Sequence, residues 1–267
     1  MKLSAVYSIQ PSKFSAVSSS NNWEESLRFF KGLGYDGVEL AVREPEAVDV
    51  KRLKELTAEL SLSIAAIGTG QVFVDEGLSF SEENPEIREK TVNRFKKHVE
   101  LAQQLNCPVI IGCIRGKLVN KENFINCLKI VGPFAKEKGV KILIEPLNRY
   151  ETSYLNKVGE VVELVKELGE PFKVLLDTFH MNIEEPDLIA TFKNAKDYIG
   201  HVHFADSNRL APGQGHIDFG PVVNYLKEIN YEGFISAEVM PQPSLQEAAS
   251  QSYKFMSSLV KGQVKEN

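Results

Sequence analysis

The sequence predicts a single (β/α)₈ TIM barrel, an α/β fold in which eight parallel strands alternate with eight helices. The chain has 267 residues, and one such barrel usually needs roughly 250. Short runs rich in Ile, Val and Leu recur along it, and a longer amphipathic stretch follows each run, which is typical of parallel βα units. Because no linker or break in composition interrupts this alternation, we expect one domain over residues 1–267.

The predicted strands are short apolar runs, as expected for parallel strands that are buried on both faces. They cover residues 3–8, 37–41, 63–67, 109–112, 141–145, 173–177, 200–204 and 233–238. The predicted helices cover residues 22–32, 49–60, 85–105, 121–138, 158–168, 186–194, 219–229 and about 244–262. Gly34 and Gly139 stand where left-handed helix ends are expected, and Pro85 suits the first turn of the third helix.

Two further segments are predicted to be mobile loops above the mouth of the barrel: the Ser-rich residues 15–20 and residues 68–84. Loops at that end of such barrels commonly close over a substrate. An open, doubly wound sheet is the alternative architecture, but its Gly-rich phosphate-binding turn should follow the first strand. Residues 8–12, Ser-Ile-Gln-Pro-Ser, form no such turn, so the closed barrel is favoured.

Composition argues against several classes of function. The net charge is −5 and the pI is about 5.7, which gives no electrostatic reason to expect a nucleic-acid partner, since proteins that bind nucleic acid normally carry a basic face. The sequence shows neither a secretion signal nor a long apolar run, so we expect a cytoplasmic protein with no membrane partner. Cys107, Cys113 and Cys127 have no CxxC spacing and are predicted to be small buried residues rather than disulfide partners.

The last four predicted strands each end in a residue that can bind a metal: Glu145, Asp177, His203 and Glu238. The active site of a TIM barrel lies at the carboxyl ends of its strands, so these four side chains can converge on one point. Three carboxylates and one imidazole suit Mn²⁺, Mg²⁺ or Co²⁺, and a divalent cation relieves the repulsion among the carboxylates. The sequence therefore predicts one divalent metal ion, with Mn²⁺ preferred.

Each of these residues also has a purely structural interpretation. A carboxylate at a strand end often caps a helix, although four ligand types on consecutive strands favour a site. His201 points to the same side of its strand as His203 but lies one layer deeper, so we predict a hydrogen-bonded buried histidine there. Asn148, Asp206 and His216 follow the strand ends and are either substrate contacts or solvated loop residues.

Long motifs surround the four residues. They are residues 145–151 (EPLNRYE), 177–185 (DTFHMNIEE), 201–209 (HVHFADSNR) and the closing Glu238. Over nearly its whole length the chain resembles the xylose isomerase-like barrel enzymes, and within them the ketose 3-epimerases related to D-tagatose 3-epimerase. Residues 66–71 (AIGTGQ), 75–78 (DEGL), 110–112 (IIG) and 115–116 (RG) look most like the branch that epimerises 5-keto-L-gluconate. A branch acting on 3-keto-glycosides shares residues 145–150 and 181–185, so the substrate stays open.

The resemblance implies that Glu145, Asp177, His203 and Glu238 bind the metal, and that Glu151, His180 and Arg209 hold the hydroxyls and carbonyl of a sugar. The expected reaction is epimerisation or isomerisation of a keto-sugar or keto-sugar acid through a metal-stabilised enediolate. In this mechanism Glu145 and Glu238 remove and return the proton from opposite faces of one carbon. Arg115 is further predicted to meet a substrate carboxylate, and the enzyme can form a homo-oligomer.

Two rival functions come from other classes. Apurinic endonucleases share this barrel superfamily but need additional histidines on the early strands. The five histidines here are His98, His180, His201, His203 and His216. Since His98 falls within a predicted helix, a nuclease metal cluster is disfavoured. A non-catalytic sugar-binding barrel is disfavoured because both acid–base glutamates are present. No phosphate-binding loop is evident, which favours a free sugar or sugar acid over the further alternative of a sugar phosphate.

Overall fold

The computed structural model describes residues 1–13, 18–19 and 22–262 of the chain. Of the loop predicted over residues 15–20, only Ser18–Ser19 are described, as a two-residue strand paired in parallel with the first barrel strand. The rest of that prediction lies outside the described residues. Among the described residues, none of the helices has the length and apolar character needed to cross a bilayer.

Eight parallel strands form a closed barrel, because the first strand pairs with both the second and the last. The strands are β1 (Lys2–Ser8), β2 (Gly37–Ala41), β3 (Ser63–Gly68), β4 (Val109–Ile111), β5 (Ile142–Ile144), β6 (Phe172–Asp177), β7 (Ile199–Phe204) and β8 (Phe234–Ala237). Every boundary lies within one residue of its predicted position. The predicted (β/α)₈ fold is therefore confirmed.

The helices form the outer layer and the connections at the barrel mouth. They are α1 (Trp23–Leu33), α2 (Val50–Leu60), α3 (Gly70–Glu76), α4 (Pro85–Leu105), α5 (Lys121–Glu137), α6 (Val158–Leu168), α7 (Thr178–Glu184), α8 (Leu188–Ala195), α9 (Phe219–Glu228) and α10 (Leu245–Lys261). Gly34 ends α1 with a φ of 101°, and a side chain at this position would collide with Tyr253. Pro85 occupies the first turn of α4, as predicted.

The segment 68–84 differs from the predicted loop, because it contains α3 and is largely packed into the protein. Leu78 and Phe80 are buried, and the ring of Phe80 lies 5.4 Å from that of Phe95 in an edge-to-face contact. The Phe80 N–H donates to the carbonyl of Ile114 at 3.0 Å. Burying these two apolar side chains fixes the segment, which the polar residues around them did not reveal.

A layer of side chains inside the barrel lies directly beneath the strand ends. Side chains two residues apart on a strand share a face, so this layer comes from the positions two residues before each end. On β3 to β6 it is an apolar cluster of Ala66, Ile110, Leu143 and Leu175. On β7, β8 and β1 it is polar and consists of His201, Ser236 and Ser4, with 2.6 Å between the two serine hydroxyls. The floor of the site is therefore apolar on one side and polar on the other.

Candidate active site

The structure brings the four predicted metal ligands together at the carboxyl end of the barrel. The side chains of Glu145, Asp177, His203 and Glu238 are buried, and one candidate ligand atom from each lies within 4.8 Å of the other three. The residues come from the ends of β5, β6, β7 and β8, which are neighbours in the barrel. The parallel arrangement of four consecutive strands is thus the reason that residues spread over nearly 100 positions meet.

His203 lies at the centre of this group. Its Nδ1 is 3.1 Å from Glu238 Oε2, 3.5 Å from Glu145 Oε1 and 3.6 Å from Asp177 Oδ2. Burial opposes a charge on the imidazole, but the surrounding carboxylates, Glu39 and Glu238 foremost, raise the pKa of His203 well above its ordinary value. A divalent cation would also neutralise the negative charge of these buried carboxylates.

Asp177 serves two purposes at once. Its Oδ1 accepts hydrogen bonds from the N–H groups of Phe179 at 2.7 Å and His180 at 3.4 Å, which caps α7. Its Oδ2 faces His203 and Arg209. Burial alone would raise the pKa of Asp177, but Arg209 and His180 lower it below its ordinary value. The capping role and the ligand role are therefore compatible, because each uses a different oxygen.

Glu145 carries an unsatisfied polar atom into the site. Its Oε1 is buried and has no hydrogen-bond partner among the described residues. Burial, reinforced by the charge of Glu238, raises the pKa of this carboxyl group. Gly112 at the end of β4 leaves room for it, since a Cβ there would lie 2.8 Å from Glu145 Oε2. A buried carboxylate oxygen without a donor is what a metal ligand would be expected to show, so the residues present fit a divalent ion.

Arg209 joins the group from the loop after β7. Its Nη1 donates to Asp177 Oδ2 at 2.7 Å, its Nη2 donates to Glu238, and its guanidinium stacks 4.8 Å above the ring of Phe179. Burial alone would lower the pKa of Arg209, but Asp177 and Glu238 raise it. The residue has a φ of 63°, an uncommon backbone conformation that is enriched at functional sites. The predicted substrate contact thus borders the candidate metal ligands directly.

His180 and Glu151 are connected through Asn148. The backbone N–H of Asn148 lies 3.3 Å from His180 Nδ1, its side-chain amide nitrogen lies 2.8 Å from the same atom, and that nitrogen also donates to Glu151 at 2.9 Å. Because both groups on Asn148 are donors, Nδ1 of His180 accepts and Nε2 carries the proton. That Nε2 lies 3.9 Å from Glu145 Oε1. His180 is therefore oriented as a donor toward the predicted metal site.

Arg115 does not occupy the position expected of a substrate ligand. Its side chain is fully buried, and its N–H groups donate to backbone carbonyls, those of Gly112, Ile111, Glu145, Tyr154 and Leu155. Burial lowers the pKa of Arg115 to about 10, against the opposing effect of Glu145. We therefore correct the sequence-based expectation: Arg115 holds the main chain at the end of β5 in place and has no N–H left for a substrate carboxylate.

Glu39 was missed by the sequence analysis, although it contacts a predicted ligand. This buried residue of β2 lies with its Oε2 3.0 Å from His203 Nε2 and 2.8 Å from His201 Nε2. Burial alone would raise the pKa of Glu39, but His203 and His201 lower it. The ionised carboxylate can only accept, so His203 Nε2 carries its proton and leaves Nδ1 facing the carboxylates. The sequence did contain a signal that could have revealed Glu39, because it is the single acidic residue inside the apolar run Gly-Val-Glu-Leu-Ala.

The other polar residues singled out from the sequence have structural roles. His201 is buried and also lies 2.9 Å from the Ser236 hydroxyl, which agrees with the predicted hydrogen-bonded buried histidine. Asp206 accepts from the N–H groups of Ser207 and Gly213, both at 2.8 Å, and so organises its own loop. His216 is exposed, and its Nδ1 lies 2.9 Å from the Ser207 hydroxyl. The structural interpretation is therefore favoured for these three.

His98, the remaining histidine, lies in α4 and is fully buried, with its two ring nitrogens 2.8 Å from the Val42 carbonyl and 2.9 Å from the Arg94 carbonyl. Within the described part of the chain, both groups of side chains that could hold a cation contain His203. Neither group includes His98 or His216, so within the described residues these two histidines add no ligand to a cluster of the kind a multi-metal nuclease needs.

Comparison with known proteins places these residues in a family. A family model described as the xylose isomerase-like TIM barrel matches residues 27–259. The L-ribulose 3-epimerase of Methylomonas sp. is 32% identical over 217 residues, which is 77% of this chain and 74% of that protein. The D-psicose 3-epimerase of Enterocloster bolteae is 29% identical over 218 residues, 75% of this chain and 71% of that one. Both relatives are sugar epimerases, which are isomerases.

A solved structure shares the fold over almost its full length. The 3-keto-D-glucoside 4-epimerase of E. coli superposes with a TM-score of 0.81 at 20% sequence identity, covering 97% of this chain and 99% of that one. The family match extends from α1 to α10 and includes all four residues of the candidate metal site. This chain belongs to the xylose isomerase-like TIM barrel family.

Proposed function

We propose that this protein is a divalent-metal-dependent epimerase or isomerase of a keto-sugar or keto-sugar acid, of the ketose 3-epimerase type. The observation that carries the proposal is the group of three buried carboxylates around Nδ1 of His203. The reactions named for the L-ribulose and D-psicose 3-epimerases support the same reaction class. The motif around residues 66–71 makes 5-keto-L-gluconate the first substrate to test, with 3-keto-glycosides and sugar phosphates as alternatives.

Glu145, Asp177, His203 and Glu238 would hold one divalent ion. Three oxygens and one nitrogen suit Mn²⁺, with Mg²⁺ and Co²⁺ as alternatives. The unpaired buried oxygen of Glu145 supports this assignment. When bound, the ion acts as a Lewis acid that stabilises negative charge on the carbonyl oxygen of the substrate.

Glu145 and Glu238 are the proposed acid–base pair. They end β5 and β8, the first and last of the four ligand-bearing strands, so they reach the centre of the site from the two ends of an arc. One glutamate takes the proton from the carbon beside the ketone, and the other delivers a proton to the opposite face of that carbon. This inverts the configuration, whereas return of the proton to the neighbouring carbon gives isomerisation. Asp177 and His203 are proposed to be ligands alone.

His180, Arg209 and Glu151 are proposed to hold the substrate. The Nε2–H of His180 and the guanidinium of Arg209 supply donors for oxygens that gain negative charge during the reaction. Glu151 is exposed and already accepts from Asn148, which leaves it further capacity to accept from a sugar hydroxyl.

A deuterium-exchange experiment tests the proposal. The Mn²⁺-loaded protein is incubated in D₂O with 5-keto-L-gluconate, D-psicose, L-ribulose and a 3-keto-glycoside, and NMR identifies the carbon that takes up deuterium. We expect uptake at one carbon next to the ketone, with loss on addition of EDTA and recovery with Mn²⁺. Absence of exchange in all four compounds would contradict the proposal.

We further propose that the enzyme works in the cytoplasm on a small free sugar, with no nucleic-acid or membrane partner, and as a single domain. A homo-oligomer is also proposed, which sedimentation velocity would measure. Cleavage of abasic DNA at enzymatic rates would overturn the assignment in favour of the nuclease alternative.

A further inference from the structure

Gln71, at the start of α3, has an amide oxygen that is buried and yet accepts no hydrogen bond within the described part of the chain. The side chain is fully buried, and its Oε1 has no hydrogen-bond partner among the described residues. Gln71 lines a cavity of about 40 Å³ together with Glu145 and Glu238. Gln71 therefore belongs to the wall of the space in which the acid–base pair would act.

The orientation of the Gln71 amide is fixed by a chain of hydrogen bonds. Gln10 is anchored because its Oε1 accepts from the backbone N–H groups of Arg43 at 3.0 Å and Glu44 at 2.8 Å. The Ser8 hydroxyl donates to the Gln10 carbonyl at 2.5 Å, so Ser8 Oγ must accept from Gln71 Nε2, 2.6 Å away. The amide nitrogen is thereby assigned to the Ser8 side, and Oε1 is left as the free acceptor.

The other wall residues with a side-chain donor are Thr69, Cys113 and His203, whose ring nitrogens face Glu238 and Glu39, and none of them pairs with Gln71 Oε1. Val6, Ala41, Gly68 and Gly112 line the same cavity and have no polar side-chain atoms. The Thr69 hydroxyl is already used, because it donates to the Ile110 carbonyl at 2.7 Å. A buried acceptor with no donor is destabilising, so native proteins retain few of them without a reason.

We infer that Gln71 is a specificity-determining residue whose Oε1 accepts a hydrogen bond from a hydroxyl of the bound keto-sugar. The inference rests on the proposed function, because it places that sugar against Glu145 and Glu238. An amide oxygen favours a hydroxyl and disfavours a carboxylate at the same point, since a carboxylate brings only acceptors. Gln71 would therefore set which end of a keto-sugar acid enters this side of the cavity.

The test combines one variant with a series of substrates. The values of kcat/KM are measured for Mn²⁺-loaded wild type and Gln71→Met with D-psicose and with its four monodeoxy derivatives that lack the hydroxyl at C1, C4, C5 or C6. We expect the kcat/KM of wild type to be about tenfold lower for one derivative than for D-psicose, which is the effect of losing about one hydrogen bond. Relative to wild type, Gln71→Met should have a kcat/KM about tenfold lower for D-psicose and for the other three derivatives, mainly through a higher KM. For the derivative that lacks the recognised hydroxyl, the two proteins should have the same kcat/KM.

Two control variants separate recognition from a merely structural role. Ser8→Ala removes the hydrogen bond that orients the Gln71 amide but keeps Oε1, so it should discriminate D-psicose from the same derivative less than wild type does and more than Gln71→Met does. Gln71→Asn withdraws the oxygen by one methylene with little change in polarity, so it should lose that discrimination even if the Met variant does not fold. The inference would be overturned if Gln71→Met lowered kcat/KM by the same factor for all five substrates, or if it lowered kcat/KM for none of them.

The outcomes also distinguish this inference from the proposed function. If wild type exchanges the proton of D-psicose but Gln71 shows no selective coupling to one hydroxyl, only the inference fails. If isothermal titration of the Mn²⁺-loaded protein detects no binding of D-psicose, L-ribulose, 5-keto-L-gluconate or a 3-keto-glycoside, both fail together.

Discussion

The two halves of the barrel contribute to the candidate site in different ways. The ends of strands β5 to β8 supply all four candidate ligands. Helix α7, directly after β6, supplies His180, and the loop after β7 supplies Arg209. The strands β1 to β4 end in small or apolar residues such as Ala41 and Gly68, which border the cavity. The second half therefore carries the charged groups, and the first half shapes the space beside them.

The first half nevertheless supports the second through two polar residues. Glu39 contacts the side of His203 that faces away from the other candidate ligands. Gln71, whose Oε1 has no partner among the described residues, lines the same cavity as Glu145. Neither residue stands at a strand end of the second half. The expected effects therefore differ in kind. Variants of the acid–base and substrate-holding residues in the second half should affect turnover, whereas variants of Glu39 and Gln71 in the first half should affect metal affinity or substrate choice.

The largest expected effect comes from the proposed acid–base pair. Glu145→Gln and Glu238→Gln should each lower kcat by about 10³-fold, because general acid–base catalysis typically contributes 10²–10⁴-fold. Since an amide oxygen can still coordinate, both variants should retain most of the bound Mn²⁺. Turnover is measured at metal saturation, and the metal content is measured by titration calorimetry. If both variants simply lose the metal, the division between ligands and acid–base residues must be abandoned.

His180 gives the next largest effect. His180→Ala should lower kcat about 10²-fold with little change in metal affinity, because it removes one donor to an oxygen that gains charge. Asn148→Asp is the matched variant: a carboxylate beside Nδ1 accepts rather than donates, which draws the ring proton away from Nε2. A comparable loss in Asn148→Asp would support the assigned tautomer. Full activity in Asn148→Asp would show that the orientation of this proton does not matter.

The sequence alone predicted the barrel because its signals are local. The apolar runs and their spacing placed each strand within one residue, and the strand-end rule selected four residues that the structure brings together. It missed α7, which begins directly after Asp177 without a separating turn. It also missed α3, because a seven-residue helix has too few positions to establish a period.

The errors at the site come from contacts that the sequence does not encode locally. Arg115 looked like a ligand for a carboxylate, but its five carbonyl partners come from three separate segments and require the folded chain. Glu39 and His203 are 164 positions apart, so their contact could not be read from either motif. The orientation of the Gln71 amide likewise depends on Ser8 and Gln10.

Glu39→Gln should lower the affinity for Mn²⁺ by about 10–100-fold, the usual effect of removing a carboxylate that orients a metal-binding histidine. The glutamine can turn its amide N–H toward His203 Nε2, where the carboxylate could only accept. The proton of the imidazole is then no longer fixed on Nε2. His201→Asn is the control, because it leaves the contact between Glu39 and His203 intact and should cost less affinity. Unchanged Mn²⁺ affinity in Glu39→Gln would break the proposed division of labour between the two halves.

The smallest effect concerns the loop that carries Glu151. The carboxylate of Glu184 in α7 accepts from the backbone N–H of Arg149 at 2.7 Å and from its guanidinium through two bonds of 2.9 Å. The hydrogen bonds from the Arg149 side chain, opposed by burial, lower the pKa of Glu184. On the first half, Glu59 has a lowered pKa through its hydrogen bond to Arg28, but this pair is about half exposed.

A carboxylate with a lowered pKa stabilises the fold above its unfolded pKa of 4.5, and this contribution is lost as the pH falls through the lower folded value. Glu184→Gln should therefore reduce the free energy of unfolding by about 0.5–1 kcal/mol at pH 7, a modest value because Arg149 is largely exposed. The difference from wild type should shrink as the pH falls below 4.5 in urea unfolding curves. Glu59→Gln should show a smaller difference at pH 7. A difference for Glu184→Gln that stays constant with pH would mean that the ionic contact with Arg149 contributes nothing, and that the loop is held by packing instead.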